Sequence, residues 1–406
     1  MKYISKFTGG LIFFLIFIGI SLISENGKAS ESVFIGVPHS EKYPYAAMMK
    51  NSFEMALEVI NKKGGIKGRP LKLVYANDQG MREPGEKAVR DLINKTKAIM
   101  LVGAYQSSNA VYMARISDEL DTPFLVCTAA DDNITQMKWR NVYRLNAPAS
   151  EYAKGLEDFL LKKIKPKSMT IIYEESPFGT AVALRMMLFC NENKIDIRGV
   201  EPYPKERLRA DYFQVILDRV KKAPPDVIYM VSYLKDASIL TKTIRESKIN
   251  SLLCGGAGGF THQKFLSQSL LSKPGDFANY LLTATLWTQQ LKYSGTKEYF
   301  DEYTKKYSVP PDYHGAEAYS ALLLAADALK RAESFSPESI RAALDNTDLT
   351  TPFGPVKFLS YGKFERQNSI PTQVLQVING KFECVWPKEH VTARFVPPPY
   401  WSGSDY

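Results

Sequence analysis

Two hydroxyl side chains, Ser107 and Ser108, follow a short apolar run, Ala98–Val102, and open an amphipathic stretch with helical spacing. The free N–H groups of a helix start, joined by two hydroxyls, make a cradle for a carboxylate. The same serines could instead cap the helix, and residue types leave both readings open. Thr128-Ala129-Ala130 follows a second apolar run, Phe124–Val126. Small side chains there would let a ligand approach the backbone, and Thr128 adds a hydroxyl. A tight turn would use the same residues. Glu174–Gly179, which contains Phe178, follows Met169–Tyr173, and Ser232-Tyr233 follows Val227–Val231. An aromatic beyond each strand could form an apolar wall or pack one lobe on another. All four loops sit just after a strand, where open parallel sheets bind ligands.

Other chemistries lack their residues. The sequence contains no HExxH, GxSxG, GxxxxGK[ST] or GxGxxG pattern. The run Gly255-Gly256-Ala257-Gly258-Gly259 has the wrong spacing for a nucleotide loop. The four histidines, His39, His262, His314 and His390, are isolated in sequence and read as surface or structural positions. The four cysteines lie far apart without a CxxC pair, so no metal site is expected and each reads as a small buried hydrophobe. No cofactor is called for, and no catalytic residue is assigned.

The elements that would position these loops alternate. Ser32–Val37 reads as a strand and Ala46–Lys63 as a helix with Met49, Phe53, Ala56 and Ile60 on one face. Strand and helix then alternate as far as Ser247. Ile99–Val102, Met169–Tyr173 and Val227–Val231 are continuously apolar, as strands covered on both faces are. The pattern predicts α/β architecture with two parallel sheets and right-handed crossovers. Thr296–Tyr307 and Ala316–Arg331 read as later helices. The end, rich in Pro, Gly and Ser, reads as a surface arm.

The 406 residues suffice for two domains or more. Lys2 and Lys6 precede a run of thirteen apolar or small residues, Leu11–Ile23, with Gly27 and Ala29 placed for cleavage after Ala29. Such a run is short of the roughly 20 residues needed to span a bilayer, so it reads as a cleaved export signal. No cysteine follows it to carry a lipid. The expected location is the periplasm. The net charge is +9, of which residues 1–29 hold +2, leaving +7. The basic residues are scattered among carboxylates, which argues against nucleic acid and allows a mild preference for anions.

The stretch Ala56…Ile60-Asn61-Lys62-Lys63-Gly64-Gly65-Ile66-Lys67-Gly68-Arg69-Pro70-Leu71-Lys72-Leu73-Val74…Asp78 resembles the opening of branched-chain amino-acid-type periplasmic binding proteins. The resemblance continues through Leu101-Val102-Gly103, Ser107-Ser108, Thr122-Pro123-Phe124, Phe178-Gly179 and Gly354-Pro355-Val356. It implies two doubly wound lobes joined by a three-stranded hinge, with ligand between them. It implies an inner-membrane ABC permease as partner for a monomeric, non-enzymatic binding protein. Expected boundaries are 1–29 for the signal, 30–147 plus 281–361 for the N-terminal lobe, 148–280 plus 362–395 for the C-terminal lobe, and 396–406 for the tail.

By position, the resemblance implies that Ser107 binds a ligand carboxylate and that Thr128, Ala129 and Ala130 supply backbone and side-chain groups. Tyr45 or Tyr43, Phe178, Tyr233 and Trp287 would wall the pocket. The resemblance implies a small carboxylate-bearing ligand, an amino acid or a related aliphatic or aromatic acid, with an amide as the alternative; Ala257 stands where amino-acid-binding members carry an acidic partner for the ammonium, which counts against a zwitterion. A periplasmic sensor subunit would have the same sequence features.

Overall fold

A computed structural model describes residues 31–204, 210–269 and 277–399. The expected signal lies outside these residues, as does most of the tail.

Five strands open the chain: β1 (Val33–His39), β2 (Leu71–Asn77), β3 (Met100–Gly103), β4 (Phe124–Val126) and β5 (Val142–Arg144). They are parallel in the order β2-β1-β3-β4-β5. The next five repeat the arrangement: β6 (Ser168–Glu174), β7 (Asp196–Tyr203), β8 (Val227–Val231), β9 (Leu252–Gly255) and β10 (Leu282–Thr285), in the order β7-β6-β8-β9-β10. A small ribbon, β11 (Leu349–Thr351) and β12 (Gly354–Val356), stands apart from both sheets. The remaining strands finish the sheets. β13 (Phe358–Tyr361) and β14 (Phe364–Asn368) extend the first beyond β5, whereas β15 (Gln373–Ile378) and β16 (Lys381–Trp386) extend the second beyond β10. Each sheet thus has seven strands.

β3, β4 and β8 are buried at every position, because helices cover both sheet faces. On the first lobe, helix Ala46–Lys62 packs against helix Tyr313–Arg331, and its Glu58 pairs with Lys306 of helix Thr296–Tyr307. The chain crosses between lobes after β5, after β10 and between β14 and β15. This is the two-lobed α/β arrangement with a three-stranded hinge.

Two expected boundaries need correction. β10 belongs to the second sheet, pairing with β9 and β15, so the first lobe does not resume at 281. It resumes only after that strand, with the long helices. β14 pairs with β5 through Gln367 and Arg144, so the first lobe runs past 361. In both cases a short strand stays hydrogen-bonded to one sheet while its flanking helix or turn belongs to the other lobe. The tail starts docked: Val396 exchanges hydrogen bonds with the Gln376 side chain.

Candidate functional site

In both sheets the strand order reverses direction beside the first strand, at β1/β3 and at β6/β8. Connections there leave on opposite faces and open a crevice at the carboxyl ends of the strands. The two crevices face each other. Tyr45 follows β1, Tyr105 and Ser107 follow β3, and Thr128 and Ala130 follow β4. Phe178 follows β6, Tyr233 follows β8 and Gly258 follows β9. Tyr313 and His314 enter from the first turn of the long helix, and Tyr152 from the start of the second lobe.

These groups enclose a cavity of ≈ 20 Å3, lined by Tyr105, Ser107, Thr128, Ala130, Tyr313 and His314 on one side and Tyr152, Phe178, Tyr233 and Gly258 on the other. That is room for about one water, so the lobes are closed on one another. Tyr45 borders the cavity and bridges the lobes, its hydroxyl donating to the Gly258 carbonyl at 3.2 Å. Gly258 reaches this place in the left-handed region, φ +60°, where a Cβ would lie 3.1 Å from the Ser232 carbonyl oxygen. Tyr105 and Tyr233 meet across the cleft at 6.5 Å, as do Tyr152 and Tyr313.

Ser107 is the first residue of helix Ser107–Glu119 and not its cap; Gln106 stands at the cap position, and its side chain does not cap the helix. The Ser107 oxygen accepts from the N–H groups of Ala130 and Asp131, both at 3.1 Å. With its acceptor capacity used, the hydroxyl has only its proton to offer the cavity, and an acceptor such as carboxylate suits it. In this closed form the Ala130 N–H is engaged by Ser107.

Asp312 caps the long helix by accepting from the His314 N–H at 3.0 Å. The same oxygen lies 3.0 Å from His314 Nδ1, leaving Nε2 for the cavity that the ring lines. Burial opposes ionisation of Asp312, yet His314, with help from His262, holds its carboxyl below the usual range. Burial pushes the phenols of Tyr45, Tyr105, Tyr152, Tyr233 and Tyr313 up, so they remain hydroxyl donors. Helix Pro177–Glu192, which carries Phe178, is fixed by Ser176 accepting from Gly179 N–H at 3.1 Å and by Pro177 in its first turn.

Of the residues singled out from sequence, Ser107, Thr128, Ala130, Phe178 and Tyr233 line the cavity, and Tyr45 borders it. Ser108 is half-buried and does not line it, because one step along a helix turns the side chain to another face. Ala129 packs into the hydrophobic core behind the loop. Ala257 is buried at φ 59°, and its neighbour Gly258 faces the cleft instead. Trp287 lines a separate cavity of ≈ 270 Å3 and donates its indole N–H to Pro352 O at 2.8 Å. Tyr105, Tyr152, Tyr313 and His314 were not singled out. His314 and His262, read from sequence as surface or structural, are buried at the lobe interface, where both rings flank Tyr45. The signal for the Tyr313–His314 pair was Pro310-Pro311-Asp312, a helix start directly before them. Among the described residues no group of His, Cys, Asp and Glu is placed to hold a metal ion.

A family model described as periplasmic binding protein matches residues 32–381. This chain belongs to the periplasmic binding protein family. Among curated relatives, Leu/Ile/Val-binding protein homolog 7 of Brucella melitensis is 26% identical over 389 residues, covering 90% of this chain and 94% of the relative. The fold matches a branched-chain amino acid transporter substrate-binding protein, LivJ, from Streptococcus pneumoniae in complex with isoleucine. That likeness has a TM-score of 0.78 at 20% identity, covering 87% of this chain and 98% of the other. It also matches a solute-binding protein of an ABC transporter from R. palustris in complex with benzoate, with a TM-score of 0.76 at 17% identity over 91% and 99% of the two chains. In this member of the family the closed cleft sits at the switch points of both lobes.

Proposed function

We propose that this chain is the solute-binding component of an ABC-type importer, holding a small carboxylate-bearing organic ligand by closure of its two lobes. One observation carries the choice of ligand. Ser107 accepts two backbone N–H groups, so its own proton points outward for an acceptor in the cavity. The start of helix Ser107–Glu119 adds to the anion's welcome. The tyrosine and phenylalanine walls suit an apolar body, aliphatic or aromatic. Isoleucine and benzoate, the ligands of the two solved relatives, share a carboxylate and an apolar body. A cavity of ≈ 20 Å3 cannot take either, so the lobes must part or the tyrosines swing before a ligand enters. Family membership supports a periplasmic place and delivery to an inner-membrane permease.

The test is a thermal-shift comparison of carboxylates with their amides and alcohols. A ligand that binds only the native state raises the melting temperature by mass action. Carboxylates alone should stabilise the protein. Equal stabilisation by the amides would refute the assignment. Loss of uptake of the stabilising compound on gene deletion would separate import from sensing.

A further inference from the structure

Glu317 lies three and four residues beyond His314 and Tyr313 on the long helix, and so behind the same wall of the cavity. It is fully buried, and neither carboxyl oxygen has a hydrogen-bond partner. Buried polar groups are normally satisfied, and an orphan of this kind calls for a reason. The Thr128 hydroxyl approaches Glu317 without closing a bond, and Thr128 itself lines the cavity. The other groups in its field are Cys127, Tyr152, Tyr313 and Asp312, and none of these carries positive charge. Burial pushes its carboxyl well up against the opposing pull of the Thr128 hydroxyl, and the charge of Asp312 adds to the rise, which favours the protonated acid in this closed form.

We propose that Glu317 is the specificity-determining counter-charge for a cationic group borne by the ligand beside its carboxylate, and that binding is coupled to release of the Glu317 proton. A cation arriving at Thr128 would reverse the balance, since an opposite charge within a few ångströms favours the ionised acid. The O–H bond of Glu317 then breaks and its proton passes to solvent. The orphaned oxygens gain the partner they lack. This rests on the carboxylate reading and adds a second recognised group to it.

The experiment is calorimetry on the full chain with matched pairs: leucine against isocaproate, phenylalanine against hydrocinnamate. Each is titrated in phosphate and in Tris, whose ionisation heats differ. The ammonium-bearing member should bind more tightly and release on the order of one proton. Glu317→Gln should cost that member about 100-fold or more and leave the plain acid within about threefold. Should the variant not fold, the proton count on the wild-type protein decides. Plain acids binding as tightly as their amino partners, or binding without proton release by the amino member, would overturn the role of Glu317 and leave the carboxylate reading intact. Binding of neither member of any pair would overturn both.

Discussion

The Tyr45 hydroxyl of the first lobe donates to the Gly258 carbonyl of the second at 3.2 Å. His262, also of the second lobe, meets the same ring edge-on at 4.8 Å, and His314 of the first lies against it at 3.9 Å. One side chain therefore belongs to both halves of the closed form, and separating the lobes must strip it of its hydrogen bond and one ring neighbour.

Tyr45→Phe removes the bond and keeps the ring. The Gly258 carbonyl retains the Thr261 hydroxyl at 3.1 Å, so nothing buried is orphaned. The loss is that of one hydrogen bond, about 0.5–1.5 kcal/mol, or roughly twofold to tenfold in ligand affinity. Dissociation rates by stopped-flow fluorescence would show it as faster release. An unchanged dissociation constant would mean the bond does not contribute to closure.

Ser107→Ala and Ser108→Ala should behave very differently. The first removes a donor from the cavity and leaves the N–H groups of Ala130 and Asp131 without their acceptor. It should lower stability by about 1–3 kcal/mol and affinity by about tenfold or more. The second should leave affinity within about twofold. Denaturant titration and calorimetry measure the two effects, and equal losses at both positions would contradict the geometry.

Acid should open the lobes. Burial holds the His262 imidazole below its ordinary range, with His314 and Lys264 acting in the same direction and Asp312 against them. The Tyr45 ring also faces it and stays protonated. In the open form the ring regains water and a pKa near about 6.5. Below that pH the open form takes up a proton that the closed form resists. Closure is thus fully supported above about 6.5 and lost progressively beneath it. The radius of gyration by small-angle scattering between about pH 8 and about pH 5 should rise on acidification, and His262→Asn should flatten the curve. Compaction at acid pH would reverse the assignment.

The thiols should be silent. All four cysteines are free and buried. Burial pushes Cys127 and Cys190 up to about 12 and Cys384 up to about 11, and Cys254 rises for the same reason. Thiolate is the reactive form, so Ellman's reagent should find none in the native protein and four after denaturation. Reducing agents should not shift the melting temperature. Fast reaction of any thiol in the native state would show a local opening.

Much of the fold is legible in the residues, and the reasons are local. Phe124–Val126, Val227–Val231 and the helix Thr296–Tyr307 stand where apolar runs and helical spacing place them. β5 escapes such a reading because Arg144 sits buried in it, which no apolar pattern announces. Its guanidinium is satisfied by Gln367 at 2.6 Å, the Asp131 carbonyl at 2.5 Å and Thr135 at 2.9 Å. Gln367 comes from a distant strand and the other two from the segment just before β5, so only tertiary structure explains the residue. The site divides the same way. Ser107, Thr128, Phe178 and Tyr233 follow strands, and one rule about strand ends finds them. Tyr313, His314 and Glu317 come from a helix that reads as ordinary core spacing from Ala316 onward. Its true start at Tyr313 depends on the Asp312 cap, which the preceding prolines set in place.

Each sheet takes its final edge strands from chain synthesised last, since residues 358–368 finish the first and 373–386 the second. Domains often fold in the order they emerge. Here that order is blocked, because the first half waits for strands encoded after the five parallel strands of the second. Until Phe358 and the residues beyond it are free, two open sheet borders stand exposed at once, each able to pair with another chain. A truncation ahead of Phe358 would therefore produce two sticky halves and not one intact lobe.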